Sequence, residues 1–171
     1  MIPEYCIGGG YEKYPQITLS LQIPIFRATG GGRMFEQLDR FIKENSEEIL
    51  ITGGWDDNKI SELEKELNIS FREEIKEFIK KYGVLIGYGV EIAVCGKNGR
   101  SYTVDATLRF RKLGLDDKYL VIEGDGELAY CFDNETGGIV NWGLDNLEIY
   151  PDADDLESFI LGQLEEGKEN W

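Results

Sequence analysis

Residues 119–142, YLVIEGDGELAYCFDNETGGIVNW, contain three short β-prone runs separated by acidic, turn-rich loops. Tyr119 to Glu123 is apolar at most positions and rich in β-branched residues, which predicts a strand buried on both faces. Gly124, Asp125, Gly126 and Glu127 supply a turn, since glycine accepts a positive φ and aspartate tolerates one. Leu128 to Phe132 returns as a second strand. Asp133 to Gly138 turns the chain again, and Ile139 to Trp142 is a third. The economical arrangement is an antiparallel meander.

Upstream, the periodicity becomes helical. Met34, Phe35, Leu38, Phe41 and Ile42 recur at spacings of three and four, the pattern of a helix with one buried face. Ile49 to Ile51 reads as a short strand or an extended link. Ile60, Leu63 and Leu67 share a face of a second helix, introduced by Trp55, Asp56, Asp57 and Asn58 and ended by Asn68. Ser70 and Glu73 have the spacing of a capping box for a third helix, whose apolar face is Ile75, Phe78, Ile79 and Tyr82, with Gly83 in place for a left-handed cap. Val84 to Gly96 predicts one or two short strands, and Lys97 to Arg100 a turn. In Tyr102 to Phe110, five apolar or small residues alternate strictly with Thr103, Asp105, Thr107 and Arg109, which favours a half-buried strand. Downstream, Gly143 to Tyr150 suggests a further edge strand stopped by Pro151. Asp152, Asp154 and Asp155 then precede a last helix with Leu156, Phe159, Ile160 and Leu164 inside.

The order of ISELEKELN, FREEIKEFIKKYG, the meander with AYCFD and GIVNW, and DDLESFILGQL resembles the SUKH superfamily (Smi1/Knr4-like) from about Met34 to about Leu164. That fold is shared by bacterial toxin-immunity proteins and yeast cell-wall-synthesis regulators. The chain departs from the family in having no proline at the start of the helix at Phe71, and it follows the family loosely after Cys95. Relatives have a short helix or an irregular connection where Tyr102 to Phe110 alternates, so the resemblance and the periodicity point different ways there. The resulting expectation is an α+β fold: an antiparallel sheet of about four to six strands, with N-terminal helices and a C-terminal helix packed largely on one face.

Residues 1–33 stand apart. They carry a net charge of +1 against −16 for the rest, and glycine triplets bracket the β-prone run Gln16 to Thr29, which contains Pro24. They read as an N-terminal arm, a fusion, or upstream sequence ahead of a later start, with residues 34–171 forming the domain.

The formal charge of −15 disfavours binding to nucleic acid or an anionic membrane and favours a basic partner. Histidine is absent, which removes the commonest general base and most zinc and haem sites. Cys6, Cys95 and Cys131 have no close pair spacing, as expected of buried thiols in the cytoplasm. No apolar run is long enough for a membrane span. Gly124 to Glu127 lacks the alternating ligands of a calcium loop, so no metal, cofactor or catalytic residue is assigned. Trp55, Asp56, Asp57, Asp125, Glu127, Tyr130, Asp133 and Trp142 are instead the partner-binding candidates, being aromatic anchors and carboxylates suited to lysine or arginine. For each one separately, a core or solubilising role is the plainer reading. The resemblance implies an immunity protein that neutralises a cognate toxin by contact through an acidic surface, or alternatively a regulatory protein-interaction adaptor.

Overall fold

The computed structural model describes residues 34–96, 99–124 and 128–171. Helix α1 spans Glu36–Glu44, strand β1 Ile49–Ile51, helices α2 and α3 Asp57–Leu67 and Glu73–Lys81, and strands β2 and β3 Val84–Gly87 and Val90–Ala93. Helix α4, Tyr102–Arg111, follows. Strands β4 to β7 cover Tyr119–Gly124, Leu128–Asp133, Ile139–Gly143 and Ile149–Ala153, and helix α5 covers Leu156–Glu169. The α+β expectation holds. The strands, however, form two antiparallel sheets, β1-β2-β3 and β4-β5-β6-β7, rather than one, with α4 placed in the chain between them.

The meander forms as expected, in the register Val121 opposite Cys131 and Cys131 opposite Val140. Each face of its sheet has its own core. On one face, Leu120, Ile122, Phe132 and Ile139 join the large cluster built by α1, α2, α3, α5 and the first sheet. On the other, Tyr119, Val121, Ala129, Cys131 and Trp142 pack on Ala106 and Phe110 of α4.

Local chemistry sets the helix ends. Asp56 caps α2 by accepting from the Lys59 amide at 3.0 Å, and Asn68 closes it in the left-handed region at φ 54°. Gly83 has φ +69° at the end of α3, as its position predicts. The helix at Met34 begins two residues later than its apolar spacing suggests, and Met34 itself is exposed. Its N-terminal amides are capped from α5: Glu157 accepts from Gln37 and Leu38 at 2.8 and 2.9 Å.

Three expectations are corrected. Tyr102 to Phe110 is helical, because Ser101 caps it by accepting from the Val104 amide and Thr107 anchors it to the Val121 amide at 2.9 Å. Its alternation arises because the helix is buried on more than one side, so no single apolar stripe is required. Ser70 does not form a capping box; α3 is capped from the β5–β6 turn by Asn134. Pro151 lies inside β7, opposite Val140 and beside a register shift, rather than ending the strand. An edge strand pairs along one side only, so it accommodates the missing N–H. The readings of residues 1–33, of Lys97 and Asn98, and of the turn at Asp125 to Glu127 lie outside the described residues.

Candidate functional site

Strand β3 lies beside β4, but no ladder joins them among the described residues. A cleft of about 380 Å³ opens at this junction. Gly89, Glu91 and Ala93 line it from the first sheet, Glu123, Gly124, Leu128 and Tyr130 from the second, and Tyr102 from the first turn of α4. Helix α4 brings Tyr102 there because the Ser101 hydroxyl donates to the Val94 carbonyl at 2.7 Å, tying the helix start to the end of β3. The Tyr102 hydroxyl in turn donates to the Gly124 carbonyl at 3.1 Å. Tyr130 is steadied by Phe159 of α5, their ring centres 5.1 Å apart.

The charged groups among the described lining residues are Glu91 and Glu123, both carboxylates. The composition around them is one-sided: from Tyr119 to Gly167 there are thirteen acidic residues and no lysine or arginine. The second sheet and most of α5 therefore carry no basic residue within that stretch, and Lys118, just before it, pairs with Asp133 and Glu135 at 3.0 and 3.4 Å. Such a surface suits charge-assisted contacts with lysine or arginine, and tyrosine faces beside carboxylates add cation–π stabilisation.

The six described candidates, Trp55, Asp56, Asp57, Tyr130, Asp133 and Trp142, do not converge. Tyr130 lines the cleft, and Asp125 and Glu127, between Gly124 and Leu128 in sequence, lie outside the described residues. Trp55, Asp56 and Asp57 sit at the start of α2. There the Lys59 ammonium lies 5.4 Å from the Trp55 ring centre and Lys80 pairs with Asp57 at 2.8 Å. Asp133 is structural: 5 % exposed, it accepts from the Lys118 ammonium at 3.0 Å and from the Glu135 and Thr136 amides at 2.8 and 3.1 Å. Burial alone would raise its carboxyl, but these donors outweigh it and hold the group below the usual range. Trp142 is 1 % exposed and packs edge-on against Phe110, so it belongs to the small core and has no surface to offer a partner. Sequence reasoning missed Glu91, Tyr102, Glu123 and Leu128. The long stretch without lysine or arginine was the available signal for this face.

Among the described residues no group of three or more cysteine, aspartate or glutamate side chains is placed to hold a metal ion. Burial pushes the Cys95 and Cys131 thiols up to about 11 and about 12, leaving neither as a nucleophile near neutral pH. No helix among the described residues is long and apolar enough to cross a membrane.

A family model described as "SUKH_5: SMI1-KNR4 cell-wall" matches residues 34–165, most of the chain. The chain belongs to the SMI1-KNR4 family. Its fold is similar to that of a crystal structure of a protein from Pseudomonas syringae pv. tomato, with a TM-score of 0.52 and 20% sequence identity over 66% of this chain and 89% of that one. At that identity the likeness concerns the SMI1-KNR4 fold alone.

Proposed function

We propose that this SMI1-KNR4 chain is an immunity protein that binds and neutralises a cognate bacterial toxin in the cytoplasm by protein–protein contact, without catalysis of its own. The observation that carries this reading is the cleft between the sheets, lined by Glu91, Glu123 and two tyrosines, beside a stretch from Tyr119 to Gly167, covering the second sheet and most of α5, that has no lysine or arginine. Asp125, Glu127 and Tyr130 belong to the proposed contact surface, and Trp55, Asp56 and Asp57 form a separate patch. A toxin that acts on a polyanion carries a basic cleft. An acidic surface of this kind fills such a cleft, competes with substrate, and speeds association by long-range attraction.

The test is affinity capture with the full chain from lysate of its native source, at low and at high salt, with the partner identified and its stoichiometry measured. A single basic toxin, held 1:1 and released by salt, is the expected result. A partner bound as tightly at high salt would overturn the electrostatic reading. The family's cell-wall description favours a second reading, a regulatory adaptor, for which several weaker partners would be recovered instead.

A further inference from the structure

We propose that the β6–β7 hairpin is the apolar anchor of this interface, and that it takes a partner segment in which an apolar side chain is flanked by lysine or arginine. The inference rests on the reading of the acidic face as a protein-binding surface. Leu147, in the hairpin loop, is 54 % exposed, and Tyr150 and Leu128 are 50 % and 40 % exposed. Leu128 pairs with Gly143 and Tyr150 with Asn141, positions of the same parity on β6, which puts Leu128 and Tyr150 on the sheet face that also carries Tyr130. Leu128 lines the cleft as well, so the face that carries Leu128 and Tyr150 reaches it.

Two features separate this patch from ordinary surface leucines. The first is backbone conformation. Leu147 has φ +58°, a region that favours glycine or asparagine, so an exposed leucine stands where another residue would suit the fold better. The loop around it is otherwise well tied: Leu147 donates to the Gly143 carbonyl at 2.9 Å, and the Tyr150 hydroxyl donates to Glu148. The second is charge. Asp145, Glu148 and Asp152 lie within the hairpin and Asp154 directly follows it, and no basic residue lies between Lys118 and Lys168. Large apolar side chains rimmed by one sign of charge fit an apolar residue bordered by the opposite sign.

The experiment needs no knowledge of the natural partner. A phage-displayed library of random 12-residue peptides is selected on the immobilised full chain and, in parallel, on the Leu147→Gly/Tyr150→Ser variant, with Leu147→Gly alone as a second variant. Glycine suits the positive φ, so Leu147→Gly is expected to melt no lower than the parent. Selected peptides should combine an apolar residue with flanking lysine or arginine, bind the double variant at least about tenfold more weakly, and shift NMR signals of residues 141–153. Peptides that bind parent and variants alike, that perturb other residues, or that fail to exceed a blank surface would overturn the proposal. If peptides behave as expected but no toxin is captured from lysate, the hairpin stands and the immunity reading falls. A toxin captured equally by parent and double variant gives the converse.

Discussion

The side chain of Asn134 holds the start of α3 from 62 residues away: its Oδ1 accepts from the Arg72 amide at 2.9 Å while its Nδ2 donates to the Ser70 carbonyl at 2.8 Å. The residue sits in the turn after β5, so the second sheet supplies the cap that α3 lacks in its own sequence. Replacing Asn134 with alanine should cost about 1–2 kcal/mol, the usual value of a helix cap, read as a lower urea midpoint. Asn134→Asp, which keeps the acceptor but loses the donor to Ser70, should recover part of that loss. Equal midpoints for all three proteins would show that the cap contributes nothing.

Part of the acid stability should trace to the same turn. The Asp133 carboxyl lies below its ordinary value when folded, so its contribution is complete above the usual carboxylate range and disappears as pH falls through the folded value. Urea midpoints measured from pH 7 down to pH 2 should fall less steeply for Asp133→Asn than for the parent. Lys118→Met, which removes the paired ammonium, should flatten the same limb.

The buried thiols predict the opposite pH limb. Their folded values, about 11 for Cys95 and about 12 for Cys131, are raised by burial, so the stability tied to the neutral thiols is present below their unfolded value and lost as pH rises toward the folded ones. With Cys6 replaced by serine, a thiol reagent at pH 8 should label neither cysteine in the folded protein and both in urea. Rapid labelling without denaturant would contradict the packing described for Cys131.

Gly54 and Gly83 mark where the end of α3 meets the segment after β1. A Cβ on Gly54 would lie 1.7 Å from the Ile79 carbonyl oxygen, and one on Gly83 would lie 2.1 Å from that of Gly53, at a positive φ. Gly83→Ala should therefore cost more than about 1 kcal/mol, and Gly54→Ala should force the backbone apart. Thermal melting of the two variants is the measurement, and unchanged midpoints would refute the close approach.

Features encoded within a few residues were legible in the sequence. Asn68 and Gly83 end helices at the positions their chemistry suggests, and the three strands of the meander have the expected boundaries to within a residue. Features set by distant partners were hidden. Tyr102 to Phe110 alternates like a strand because α4 is enclosed on several sides, and Asn134 replaces a local capping box from across the fold. The candidate site was half visible for the same reason. Tyr130 was found from its residue type, while Glu91, Tyr102 and Glu123 matter through a junction of two sheets that no local pattern announces. Trp142 had the composition of an anchor, yet its place opposite Ala129, on the face covered by α4, buries it.

Helix α4 contributes Val104 to the larger cluster and Ala106 and Phe110 to the smaller one. A helix that fills two cores couples their loss: neither sheet can shed its packing without loosening the other through the same ten residues. The two sheets, which share no ladder among the described residues, are thereby expected to melt as one cooperative unit, with Trp142 fluorescence and backbone circular dichroism changing at the same temperature.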